Sequence, residues 1–225
     1  MGVIIKKIIV EARFPAVFKF REIAYSYFQG IIEQYPIIEE GNLSVVLISD
    51  YLGSKILCER NRLAVGKENI DDPTSFEVEL KNLMELATNL GIKRCDRLGV
   101  RVWLLAPFKN LSREEAIEKY RDDQLNKNNL ILDPEFLSDF AVILEGKIDE
   151  SFVRLQEGVV DKNEIKNRSD FLFERDPEVA LNFDIDNILG QQIAPLRRNV
   201  IKNLIDRSID MFVKHIEKNN DILET

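Results

Sequence analysis

One histidine and two cysteines are all the imidazole and thiol chemistry in this chain of 225 residues. Cys58 and Cys95 form no C-x-x-C pair, which excludes the zinc-ribbon and thioredoxin-like readings. They read as two reduced, buried small side chains. No apolar run approaches the ~20 residues that a bilayer-spanning helix needs. The N-terminal Val3-Ile4-Ile5 is interrupted by Lys6 and Lys7, and nothing after it resembles a signal peptide. The expectation is therefore a cytoplasmic protein that does not enter the membrane. Neither G-x-G-x-x-G nor G-x-x-x-x-G-K-[ST] occurs, so no phosphate-cradling loop can be named. The G-x-S-x-G nucleophile elbow is also missing.

What is present is ordinary for a folded globular protein: 45% hydrophobic and 31% charged residues, with a net charge of −8. The acidic balance repels phosphate backbones, so nucleic acid is not an expected partner. No repeat of fixed period appears.

Alternation and helical stripes give an order of elements. Lys7–Phe14 reads as a strand stopped by Pro15. Phe20–Tyr35 reads as a helix stopped by Pro36. Leu43–Asp50 and Lys55–Val65 read as two strands about a turn at Leu52-Gly53-Ser54. Pro73-Thr74-Ser75 opens a helix that ends at Gly91, with Thr74 and Glu77 at capping-box spacing. In Arg97–Ala106, Leu98, Val100, Val102 and Leu104 share one strand face, and Gly99, Arg101, Trp103 and Leu105 the other. Ser112 and Glu115 repeat the capping box and start a helix to about Leu125. Asn126–Asn129 is turn-like. Strands are then expected over Phe140–Lys147, Phe152–Val160, Phe171–Glu174 and Val179–Asp186, with Asp161–Ser169 as a mobile loop. A helix from Pro195 to about Lys218 closes the chain and would be roughly 35 Å long.

This order predicts an α+β fold: antiparallel-rich mixed sheets covered by helices, with a long C-terminal helix. An N-terminal half over residues 1–110 and a β-rich half over residues 111–225 are expected to pack together.

Several places could carry chemistry. Asp184 and Asp186 point to one strand face, in reach of a shared Mg²⁺ or Mn²⁺. Simple alternation would instead turn Asn182, Asp184 and Asp186 to water and Leu181, Phe183 and Ile185 to the core. Nucleotidyltransferases that use such a pair also need a Gly-Ser turn on the preceding element, and Gly53-Ser54 lies far away in sequence. Glu145-Gly146-Lys147 matches the Glu-x-Lys half-motif of metal-dependent nucleases, with Asp133 or Asp139 as the upstream acid. Arg101, between Gly99 and Trp103, could hold an anionic ligand or stack on the indole, or form an internal salt bridge. His215 lies in the apolar stripe of the last helix with no catalytic partner in view. Arg197-Arg198 is too short a basic run to bind nucleic acid. Each of these patterns also occurs for structural reasons, so no catalytic, cofactor or metal residue is assigned.

Glu11-Ala12-Arg13-Phe14-Pro15, the strand Arg97-Leu98-Gly99-Val100-Arg101-Val102, the strand Asn182-Phe183-Asp184-Ile185-Asp186 and the final helix with Phe212 occur in this order. Together they resemble a sporadically distributed prokaryotic family of uncharacterised proteins. In that family the central strand resembles Gly-hydrophobic-Arg-Tyr, and Val102 here replaces the aromatic. The resemblance implies no activity; patchy distribution implies association with mobile or defence-related loci.

The functional expectation is a non-enzymatic binding or assembly module that acts through a protein partner or a second copy. Val213 on the last helix would enlarge an apolar edge for such a contact. The alternatives are a metal-dependent nuclease or nucleotide-acting enzyme, and a small-ligand carrier with its pocket between the long helix and the sheet.

Overall fold

A computed structural model describes residues 2–124, 139–171, 173, 176–193 and 196–218. Asp133, the Asn126–Asn129 turn, Leu125, Glu174 and Pro195 lie outside the described residues. The fold is α+β: nine strands form one open antiparallel sheet in the order β2-β3-β4-β5-β1-β6-β9-β8-β7. The strands are β1 (Ile4–Arg13), β2 (Ile37–Glu40), β3 (Ser44–Ser49), β4 (Ser54–Glu59), β5 (Arg62–Ile70), β6 (Cys95–Pro107), β7 (Ala141–Ile148), β8 (Ser151–Asp161) and β9 (Val179–Ile193). The helices are α1 (Phe20–Phe28), α2 (Glu77–Asn89), α3 (Arg113–Gln124), α4 (Lys162–Arg168) and α5 (Arg198–Lys218). β6 pairs with β9 along most of its length, so the sheet runs across the expected boundary near Asn110.

The alternating apolar residues of the strands face α1, α2, α3 and α5 and build the main core. Leu98, Val100, Val102 and Leu104 lie there as their spacing predicts, each at most 1% exposed. Phe183 of β9 meets Phe212 of α5 with ring centroids 4.6 Å apart. A smaller cluster, Trp103, Leu105, Val160, Ile165 and Ala180, sits where α4 crosses the opposite face.

Several local expectations are overturned. The strand expected over Lys55–Val65 is a hairpin, β4 and β5, with Glu59 opposite Arg62 across the turn Arg60-Asn61. α1 ends at Phe28. Gly30 is a poor helix former, and there the bonds tighten to the residue three back, Gly30 N–H to Tyr27 O at 3.0 Å and Ile31 N–H to Phe28 O at 3.0 Å. Thr74 and Glu77 form no capping box. Asp72 caps a 3₁₀ turn, Pro73–Phe76, by accepting from the Thr74 N–H at 2.8 Å. Glu77 instead accepts from Arg198 and, at 2.7 Å, from Lys202, which ties α2 to α5. The expected loop Asp161–Ser169 is α4. Asp161 accepts from Glu164 N–H at 2.9 Å and Glu164 accepts from Asp161 N–H at 2.9 Å, a reciprocal capping box. Phe171 and Phe173 are not in a strand. Short β2 went unexpected because all four of its residues are exposed and carry no burial pattern. The box at Ser112 and Glu115 forms as its spacing predicts, at 2.8 and 3.2 Å.

Candidate functional site

The helices leave the middle of one sheet face uncovered. That face is reached by the residues on β1, β5 and β6 that alternate with the core: Ile9, Glu11, Ala64, Gly66, Gly99 and Arg101. At one end it is closed by the chain after β8. Lys6, fully buried, donates to Asp176 at 2.7 Å and to Asn69 at 3.0 Å. Lys7 pairs with Glu68 at 2.8 Å and with Asp170, and Glu68 also accepts from the Asp170 N–H at 2.8 Å. Burial alone would lower the Lys7 pKa, but Asp170 and Glu68 together raise it. Beside this strap, Ile9, Leu57, Ala64 and Gly66 floor a shallow cavity of about 200 Å³ rimmed by Lys7, Lys55 and Glu11.

The register places the singled-out charges beside this trough. Arg101 on β6 lies opposite Asp186 on β9, Asp186 opposite Arg154 on β8, and Arg154 opposite Glu145 on β7. Charges of alternating sign therefore cross four adjacent strands in one row, each step about 4.8 Å. Glu145 forms an ion pair with Arg154, Oε1 to Nε at 3.3 Å. Arg101 engages the neighbouring Asp184 side-on, with Nε to Oδ1 at 2.7 Å and Nη2 to Oδ2. Of the residues expected to face water, Asn182 and Asp184 are buried on this face and only Asp186 is partly exposed. Burial and the nearby Asp184 push the Asp186 carboxyl above its ordinary pKa, against Arg101, Arg154 and Arg97. Arg97 Nε is buried and has no hydrogen-bond partner among the described residues.

Trp103 does not stack on Arg101. Its Nε1 donates to Asn182, and the guanidinium of Arg168 from α4 lies 5.7 Å from its ring. Lys147 stands exposed on β7, and Asp139 lies 3.7 Å from Arg113. Neither joins Glu145 in a carboxylate cluster. Asp186 and Glu145 stand two strands apart, about 10 Å, with Arg154 between them. Among the described residues no three His, Cys, Asp or Glu side chains are grouped to hold a metal ion.

His215 lies elsewhere, on the covered face, with Nε2 3.1 Å from Glu157 and its ring 4.9 Å from Phe183. Cys58 and Cys95 are free and buried; burial raises their thiols to about 12 and about 11. Val213 is partly buried and adds little apolar edge. Among the described residues no helix is long and apolar enough to cross a membrane.

Sequence reading singled out Arg101, Asp184, Asp186 and Glu145 but missed Arg154 and Arg97. The missing signal was strand order, since Arg154 becomes Asp186's neighbour only when β8 pairs with β9. No protein-family model matches the chain, and no curated protein matches it.

Proposed function

We propose that the protein is a non-enzymatic binding module that receives a protein partner on its open sheet face. The carrying observation is that face itself: a partly exposed apolar trough of Ile9, Leu57 and Ala64 beside a fixed row of alternating charges. An apolar patch with a polar rim is the ordinary form of a protein contact, and a charge row gives such a contact its register.

The alternatives fit this geometry less well. A metal bound by Asp184 would have to displace Arg101, which holds that carboxylate side-on. A carrier pocket beneath α5 would need space that Phe183 and Phe212 fill.

Capture from the native host tests the reading. Wild type is expected to retain one protein in stoichiometric amount. Ala64→Arg, which fills the trough, and Asp186→Lys, which inverts the row, are expected to lose it with unchanged circular dichroism. Retention of the bait alone, or equal retention by both variants, overturns the proposal.

A further inference from the structure

The sheet ends on one side in β7, eight residues long, with no pairing strand beyond it among the described residues. Its residues include Val142, Ile143 and Leu144, and the last two are 53% and 56% exposed. No proline interrupts it. A long, apolar, unpaired edge is a template for another strand. The opposite edge, β2, has four residues, follows Pro36 and carries Glu39 and Glu40. That edge is short and acidic, whereas β7 is twice as long, begins with four apolar residues and carries one charge of each sign, Glu145 and Lys147.

The hairpin fixes which groups of β7 face outward. Asp149, at φ +52°, and Glu150 form a two-residue turn, and Ile148 lies opposite Ser151. In such hairpins the closing pair exchanges both main-chain hydrogen bonds. Ile148, Gly146, Leu144 and Val142 therefore bond inward to β8. The main-chain N–H and C=O groups of Lys147, Glu145, Ile143 and Ala141 point away from the sheet.

We infer that a second copy of this chain pairs antiparallel along β7, about a two-fold axis at Gly146, so that two sheets become one. Charge complementarity selects the occupant and the register. Centred on Gly146, the pairing sets Glu145 of each copy opposite Lys147 of the other and Leu144 opposite Ile148. It also matches the outward main-chain groups of both strands. Centred one residue earlier, at Glu145, it would set like charges face to face, which is unfavourable. The inference shares Glu145 with the charge row of the partner reading, but it rests on the edge of the sheet, and the Gly146→Cys cross-link tests it without touching that row.

Two experiments decide it. In this register Gly146 meets its own copy as a non-hydrogen-bonded pair, with Cα atoms about 4.5 Å apart, a separation that a disulfide spans. A Cβ added at Gly146 meets nothing within 4 Å, and the native cysteines are buried. Gly146→Cys is expected to yield a covalent dimer on mild oxidation, while Leu144→Cys stays unlinked. In sedimentation, wild type is expected to dimerise and Glu145→Lys to weaken the dimer about tenfold. Adding Lys147→Glu restores it, because the inverted pair is again complementary. Wild type that stays monomeric at every concentration overturns the inference. So does cross-linking through Leu144→Cys, or a double variant that fails to recover. All four positions, Leu144, Glu145, Gly146 and Lys147, are exposed, so folding is not at stake.

Discussion

The two faces of the sheet are made by the same nine strands and differ in almost everything else. On the helix-covered face, Ile8, Val10, Val100 and Val102 lie at most 1% exposed beneath α1, α2, α3 and α5. On the other, Ile9, Glu11 and Arg101 from the same strands stay at least partly in water. The covered face is held by apolar contact, which is roughly proportional to area and indifferent to direction. Apart from the cluster under α4, the uncovered face is held by point contacts such as Arg101 with Asp184 and Lys6 with Asp176. Alternation with a period of two sorts the side chains. Helices then seal one set and leave the other for polar chemistry.

Substitutions test this contrast directly. The largest effect is expected on the covered face. Phe212→Ala should cost about 3–5 kcal/mol in urea unfolding, whereas Ile9→Ala should cost well under half of that. Equal losses would mean that the second face is as packed as the first. At the strap, Asp176→Ala should cost about 3–5 kcal/mol, because it leaves the buried Lys6 ammonium without its partner. The double replacement Lys6→Met with Asp176→Leu should recover most of that loss. A loss that persists in the double variant would assign the damage to packing. Asp161→Ala, which removes the cap of α4, should cost about 1 kcal/mol in thermal melts and loosen only the part of the open face that α4 covers.

The smallest effect is a gain. The Asp186 carboxyl is raised in the folded state, so above that raised value its ionisation opposes folding. Asp186→Asn removes the opposition. It should raise Tm modestly at neutral pH, and the gain should vanish as the pH falls below the unfolded value near about 3.9. A Tm difference that does not change with pH would mean that its charged state does not cost stability.

The parts of this fold that were legible in the sequence are those with local causes. β6 was readable because Leu98, Val100, Val102 and Leu104 alternate without a break. The start of α3 was readable because Ser112 and Glu115 satisfy each other's donors within one turn. The β4–β5 hairpin leaves a trace in the phase of its apolar residues. Buried residues shift from even positions, Ile56 and Cys58, to odd ones, Leu63 and Val65, and a two-residue turn forces that change of phase. α4 left one as well, since Asp161 and Glu164 stand at capping-box spacing inside a charged segment that looked like a loop. Lys6 left none: an isolated lysine in an apolar strand gives no hint of an aspartate 170 positions away. The candidate site divides in the same way. Arg101, Asp184 and Asp186 stand out by their spacing along single strands, but their pairing depends on β6, β9, β8 and β7 becoming neighbours.

The position of β1 also bears on synthesis. β1, the earliest in the chain of these nine strands, sits in the middle of the sheet, between β5 and β6. Its second partner, β6, ends only at Pro107, and the far side of β6 waits for β9, which ends at Ile193. A nascent chain halted between Pro107 and that point carries β6 with its far edge unpaired, a ready template for another chain. Long-range pairing of this kind folds slowly and is exposed to aggregation while it waits. Chaperone demand should therefore concentrate between completion of β6 and arrival of β9.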